Sequence, residues 1–238
     1  MNNIQTLLWN IEWNDSERKQ QFVLNTLRDL APNVFCLGES TDFFLVEYPN
    51  SISSQADYGY SNPGNRRKVW LSSDETWEDV EYGENSGLPS GRFVSGITRG
   101  IRFVGICIPW SNAHVSTGQR NRKRWEDHTT FLRSLGPILT HYANSSLPVC
   151  VMGNFNQCIP PTKHNEHVID DLRTAFSAGF CIATEGKMDI DGQPLIDHIA
   201  TTKTLNFSLT STIGRQADQG RAVSDHPGLF GTLTRITT

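Results

Sequence analysis

Three apolar segments of this sequence run directly into polar side chains, and this pattern constrains the fold most strongly. The segment "IQTLLWN" ends at Asn10, "NVFCLGES" contains Glu39, and "VCVMGNFN" ends with Asn154 and Asn156. Segments of this kind, with apolar residues on both faces, suit strands of a sheet that is covered on both sides. The sequence therefore predicts a layered α/β structure.

Helical periodicity appears between these strands. Apolar residues at three- and four-residue spacing predict helices over 16–30, from 125 to about 141, and near 169–179. Pro137 could kink or split the second helix. A tight hairpin is predicted around "TRGI". These elements fit either an α/β sandwich or an open doubly wound sheet, and periodicity alone does not separate the two.

The composition is that of an ordinary globular protein. A chain of 238 residues without an internal repeat or a linker-like segment is predicted to form one domain over residues 1–238. No segment approaches the roughly 18 apolar residues of a membrane span, and the N-terminus lacks a signal peptide pattern. The five cysteines form no C-x-x-C pair, which argues against a zinc site or a disulfide framework. A cytoplasmic protein without membrane association or an evident obligate protein partner is predicted.

The net charge of −4 means that any binding to polyanions must come from local basic patches. Two such patches occur, "NRRK" at 65–68 and "QRNRKRW" at 119–125. The second contains Arg120, Arg122 and Arg124 and no acidic residue. A solvated face explains such a run as well as phosphate contact does, although the lack of acids favours phosphate contact.

Polar residues recur where the predicted strands begin or end. Taken singly, each has an ordinary explanation as a turn residue or a cap. Taken together they predict a cleft at one edge of the sheets, because side chains at strand ends are well placed to line one. The residues concerned are Asn10, Glu39, Asn154, Asn156, Asp197, His198, Asp225 and His226.

This set of side chains suits metal-assisted phosphoryl transfer. A hard cation, Mg²⁺ or plausibly Mn²⁺, could be held by Glu39 with Asn10 and Asp225. His226 and Asn156 could donate hydrogen bonds to a phosphate, and Asp197 could orient the His226 imidazole. The set contains no base that could orient and deprotonate an attacking water.

The order of the motifs "WNIEW", "LGES", "GNFN", "IDHI" and "SDH" resembles the signature blocks of the endonuclease/exonuclease/phosphatase superfamily, which includes exonuclease III-like and apurinic endonucleases. The blocks extend from Asn10 to His226, nearly the whole chain. The resemblance implies a DNase I-like fold, a four-layer αββα sandwich of two packed mixed β-sheets flanked by helices. It also implies a metal-dependent phosphodiesterase with its site at one end of the two sheets.

The third block departs from the superfamily pattern. It normally has the form G-D-x-N, with an Asp that orients or deprotonates the water, whereas here Asn154 holds that position. An amide can position a water but cannot accept its proton at neutral pH. An inactivating substitution, made to trap a substrate complex, is favoured because the other motif residues are present. The alternative is a natural protein that binds phosphates and turns over poorly.

A second departure lies at Cys107, where the superfamily often has a His or Tyr that touches the scissile phosphate. Asn112 or His114 could supply that contact instead. A chain of 238 residues has room for few insertions, which favours a compact DNA nuclease. The arginines of 119–125 would contact the sugar-phosphate backbone of the DNA. A small-molecule or lipid-headgroup phosphatase and a catalytically silent phosphate- or nucleic-acid-binding module are the alternatives.

Overall fold

The computed structural model of this chain describes residues 3–13, 16–61, 64–217 and 221–236. Along the chain its elements are β1 (Ile4–Asn10), α1 (Glu17–Leu30), β2 (Val34–Thr41), β3 (Ser51–Ser53), β4 (Arg66–Ser73), β5 (Glu78–Glu81), β6 (Phe93–Thr98), β7 (Ile101–Cys107), α2 (Glu126–Ala143), β8 (Val149–Asn154), α3 (Ile169–Phe176), β9 (Phe180–Ile182), β10 (Asp197–Thr202), β11 (Leu205–Ile213), β12 (Gln216–Ala217), β13 (Arg221–Ala222) and β14 (Gly228–Arg235). Short 3-10 helices cover Asp42–Leu45 and Glu166–Val168.

Most of these strands belong to two six-stranded sheets of mixed direction. The first has the order β11-β14-β1-β2-β4-β3, and the second has the order β5-β6-β7-β8-β10-β9. Within the first sheet, β1 is parallel to β2 and antiparallel to β14. Within the second sheet, β8 is parallel to β7 and antiparallel to β10. Each sheet therefore has a parallel pair near its centre.

Successive side chains of each strand point to opposite faces of the sheet, so the buried apolar residues form three layers. Leu8 faces the other sheet and packs in the core between the sheets, whereas its neighbours Leu7 and Trp9 pack with Leu24 and Leu27 of α1. On the far side of the molecule, α2 and α3 cover the second sheet. The predicted αββα sandwich is therefore confirmed, and the open doubly wound alternative is excluded.

The helices follow the sequence prediction closely. Helix α1 begins after Ser16, whose hydroxyl accepts a hydrogen bond from the Lys19 N–H, and it ends at Ala31 in the left-handed region. Helix α2 does not split at Pro137. Leu135 and Leu139 on either side of the proline are both buried in the same layer against the second sheet, which keeps the helix continuous. None of the helices in the described part of the chain is long and apolar enough to cross a membrane.

Within each sheet, the strand register places polar residues of neighbouring strands side by side at the strand ends. Asn10 pairs with Gly38 where β1 and β2 lie side by side, which places Glu39 next to the end of β1. In the second sheet, Asn154 is the register partner of both Cys107 and Asp197. One edge of the sandwich therefore collects the polar residues of several strands.

Candidate active site

A cavity of about 450 Å³ opens at this edge of the sandwich and is called the central cavity below. Of the residues singled out in the sequence, Glu39, Asn154, Asn156, Asp225 and His226 line it. Asp197 and Asn10 lie behind this first layer, in contact with the segment that carries His226. Five of the eight residues thus line one cavity and two lie behind it. His198 lies away from the cavity, where its Nδ1 is 3.0 Å from the Thr184 hydroxyl and its Nε2 is 3.0 Å from the Gln157 carbonyl oxygen.

The imidazole of His226 is held by a buried carboxylate. Its Nδ1 lies 2.6 Å from Oδ2 of Asp197, which is wholly buried. Burial lowers the pKa of His226, but the charge and hydrogen bond of Asp197, with the charges of Asp225 and Glu39, outweigh it and raise the pKa to about 9. The imidazole is therefore protonated at neutral pH and can donate from Nε2.

The segment before β14 holds His226 against the first sheet. The Ser224 hydroxyl donates to the Asn10 carbonyl at 2.6 Å, and the His226 N–H donates to that hydroxyl at 3.1 Å. The Trp9 indole donates to the carbonyl of His226. Because the segment is tied to the end of β1, the imidazole has a fixed position between the two sheets.

Asn154 and Asn156 share a tight turn at the end of β8. Oδ1 of Asn154 accepts the N–H of Asn156 at 2.8 Å, and Nδ2 of Asn156 donates to the Ile108 carbonyl at 2.7 Å. Gly153 has a φ of +154°, and a Cβ there would lie 1.9 Å from the Ile106 carbonyl oxygen, so only glycine fits before Asn154. The second amide hydrogen of Asn156 has no acceptor among the described residues, and the side chain lines the cavity.

The predicted metal ligands have a donor set that suits a hard cation. Two carboxylates with an amide oxygen match the few protein oxygens that Mg²⁺ takes while it keeps several waters. Oδ1 of Asn10, the atom that would face a cation, accepts the Glu12 N–H at 3.1 Å, and Nδ2 is buried without a hydrogen-bond partner among the described atoms. Within the same ranges, however, no group of three or more His, Cys, Asp or Glu residues could hold a metal. Oε1 of Glu39 instead lies 2.5 Å from Nζ of Lys68.

Several lining residues of the central cavity were missed by the sequence analysis. Lys68 and Arg66 belong to the "NRRK" patch, but no local pattern indicates that this patch reaches the strand ends. Trp13 belongs to the first motif block, and its ring stacks on Tyr58 at 5.6 Å. Arg92 carries no local signal at all, since its position depends on how β6 pairs with β7.

The predicted phosphate-binding residues lie elsewhere. Asn112, His114, Arg120, Arg122 and Arg124 do not line the central cavity. The Gln119 N–H donates to Nδ1 of His114 at 3.1 Å, whereas Thr117 of the same loop does line the central cavity. His114 and Arg122 line a neighbouring side pocket of about 270 Å³, and Arg124 lies beside a further pocket next to Trp125. The 119–125 segment therefore does not line the central cavity, and its contact with a phosphate stays a prediction.

Two tryptophans whose rings could stack on a base, Trp70 and Trp110, differ in exposure. Trp70 is buried in the layer beneath α1, as packing predicts, whereas Trp110 is 40% exposed and lines the central cavity. Cys107 is buried at the wall of the same cavity. Burial raises the pKa of its thiol, so the side chain is an uncharged, weak donor.

Comparison with known proteins finds structures of the same fold but no similar sequence family. No protein-family model matches the chain, and no curated protein matches it. Among solved structures it is similar to the 3'-5' exonuclease NExo from Neisseria meningitidis, with a TM-score of 0.70 and 15% identity over 98% of this chain and 100% of that one. It is also similar to an Asp-to-Asn variant of NExo from Neisseria, described as a 3' phosphatase bound to product DNA hairpin, with a TM-score of 0.68 and 15% identity over 96% and 98% of the two chains. The chain therefore has the DNase I-like fold of these neighbours.

Proposed function

We propose that this chain is a Mg²⁺-dependent phosphodiester hydrolase that acts on DNA and whose turnover is limited by Asn154. The observation that carries the proposal is the convergence of the Asp197–His226 pair, Asn154, Asn156 and Glu39 on one cavity at the strand ends. The fold is shared with NExo, which is described as a 3'-5' exonuclease. Ligand sites at the ends of packed sheets are common in α/β proteins.

Each residue has a role that follows from its chemistry. The His226 imidazolium, oriented by Asp197, donates a hydrogen bond to a phosphate oxygen, and the unused amide hydrogen of Asn156 does the same. Asn154 orients the attacking water through its amide but takes no proton from it. Glu39, Asn10 and Asp225 would hold Mg²⁺ or Mn²⁺, which neutralises charge on the phosphate when bound.

DNA as the substrate rests on the charge of the cavity and on the neighbour. Arg66, Lys68 and Arg92 line the central cavity, and cationic side chains contact a nucleic-acid backbone without reading its sequence. The NExo variant was solved with a DNA hairpin. A phosphatase acting on a terminal phosphate is a second candidate, because that neighbour is described as a 3' phosphatase.

Salt dependence of binding tests the proposed substrate class. A protein that contacts several DNA phosphates should lose affinity about linearly on a logarithmic salt scale, with a slope of roughly −0.7 per contact for single strands. We expect a slope of about −2 or steeper for a short single-stranded oligonucleotide, measured by fluorescence anisotropy. A slope near zero together with binding of small phosphate esters would favour the phosphatase. Binding without turnover in both this chain and Asn154→Asp would indicate a silent module.

A further inference from the structure

Arg92 stands at the junction of two cavities. It is only 4% exposed, yet it lines both the central cavity and the side pocket of about 270 Å³ that Asp57, His114, Gln119, Asn121 and Arg122 also line. Its Nη1 lies 3.3 Å from the carbonyl oxygen and 3.8 Å from Sγ of Cys107. The guanidinium thus forms part of the wall between the two spaces.

The charge of Arg92 has no acidic partner in the described part of the chain. Other enclosed cations of this protein do have one: Arg102 pairs with Asp79 and Glu81, and Lys68 pairs with Glu39. A buried cation without a counter-charge is costly, and buried charges are as a rule paired. An anion that enters the cavity would supply the missing partner.

Backbone constraints fix the position of Arg92 at the start of β6, and its contacts with Cys107 hold the guanidinium there. Gly91 has a φ of +71°, and a Cβ there would lie 2.3 Å from the Asp57 carbonyl oxygen, so the chain enters β6 in one conformation. The Cys107 N–H donates to the carbonyl of Arg92 at 3.0 Å. Cys107 is the register partner of Asn154, so the guanidinium lies against the strand position next to the water-orienting residue.

We propose that Arg92 binds a phosphate of the substrate and that the side pocket takes the nucleotide unit attached to that phosphate. Cys107 cannot supply the hydrogen bonds of a His or Tyr, whereas the planar guanidinium can bind two phosphate oxygens at once. The amide side chains of Gln119 and Asn121 can hydrogen-bond a base edge. This inference rests on the proposed function, and it names a polynucleotide rather than a small phosphate ester as the substrate class.

Calorimetric titration with inorganic phosphate tests whether Arg92 binds phosphate, independently of whether DNA is the substrate. We expect Arg92→Gln to bind phosphate about 10-fold more weakly or worse, because a hydrogen bond to a charged group is lost. Arg133→Gln is the matched control, since Arg133 is exposed and pairs with Asp171 outside both cavities, and it should bind as the unaltered protein does. Equal affinity of Arg92→Gln and the control, or no phosphate binding by the unaltered protein, would overturn the proposal.

If Arg92→Gln does not fold, as judged by circular dichroism, Arg92→Lys decides the question. A single ammonium cannot form the paired bonds of a guanidinium, so a several-fold loss of phosphate affinity is expected. Affinity equal to that of the unaltered protein would overturn the proposal in this variant too.

The side pocket is tested with Asn121→Trp, which fills the pocket at an exposed position. This change should leave inorganic phosphate affinity unchanged and weaken binding of a DNA dinucleotide with a 3'-phosphate by about 10-fold, the loss of roughly one stacked or hydrogen-bonded base. If Asn121→Trp and the unaltered protein bind the dinucleotide with equal affinity, the proposal that the side pocket takes a nucleotide is overturned. If phosphate binding depends on Arg92 but no DNA binds, the proposed DNA substrate fails while the role of Arg92 stands.

Discussion

Asp197 is wholly buried, and only Oδ2 of its carboxylate has a hydrogen-bond partner among the described residues, the Nδ1 of His226. Such a pair fixes both the orientation and the charge of an imidazole. Replacing Asp197 with Asn should remove the charge that offsets the burial of His226. The pKa of His226 should then fall from about 9 to its ordinary range or below.

An NMR titration of the His226 ring protons in the metal-free protein measures this change directly. Asp171→Asn, which removes a carboxylate paired with Arg133 outside the cavity, should leave the titration of His226 where it is. A His226 pKa that stays near 9 in Asp197→Asn would show that other charges, and not Asp197, keep the imidazole protonated.

At the scale of single elements, two buried histidines make the fold sensitive to acid. Burial lowers the pKa of His128 on α2 and of His198 on β10 to about 4 each. The unfolded chain binds these protons near pH 6.5, so the unfolded state takes up more protons between about pH 6.5 and 4. The free energy of unfolding should therefore decrease as the pH falls through this window, by about 2 kcal/mol per histidine at pH 5.

Urea denaturation at pH 7 and pH 5 measures this loss. His128→Gln should reduce the difference between the two pH values by more than half, because the raised pKa of His226 offsets part of the loss over this window. His141→Gln, at an exposed position of α2, should not change it. If the unaltered protein is equally stable at both pH values, the two histidines are not held neutral by burial.

The elements themselves were largely predictable, and the failures have a physical pattern. β1 and α1 follow from local periodicity and a cap at Ser16, which do not depend on the rest of the chain. Arg92 was missed because its place depends on the register between β6 and β7, a contact that no local pattern encodes. The position of the 119–125 segment outside the central cavity could not be read from its charges, because the turn in which the Gln119 N–H donates to Nδ1 of His114 has no local sequence pattern.

For the whole molecule, the close approach of the two sheets is the feature that holds the site together. A Cβ on Gly105 of β7 would lie 2.4 Å from Cγ1 of Val69 on β4 in the opposite sheet. Gly105→Ala should therefore push the sheets apart and destabilise the protein by about 1–3 kcal/mol. Gly136→Ala in α2 is the control, because a Cβ there meets Ala175 at an ordinary 3.5 Å and should be neutral or stabilising.

Thermal or urea unfolding of the two variants gives the comparison. A Gly105→Ala protein as stable as the unaltered chain would mean that the sheets can separate at this point without loss. The site would then not depend on a fixed spacing between the sheets at this point.

The most direct test of the central claim is the cleavage rate of labelled single- and double-stranded DNA with Mg²⁺ for this chain and for Asn154→Asp. The substitution keeps the acceptor that holds the Asn156 N–H and adds a group that can take a proton. A rate increase of about 100-fold or more is predicted, with no increase for Asn206→Asp at an exposed position of β11. Equal rates for this chain and Asn154→Asp, or no cleavage by either, would contradict the account.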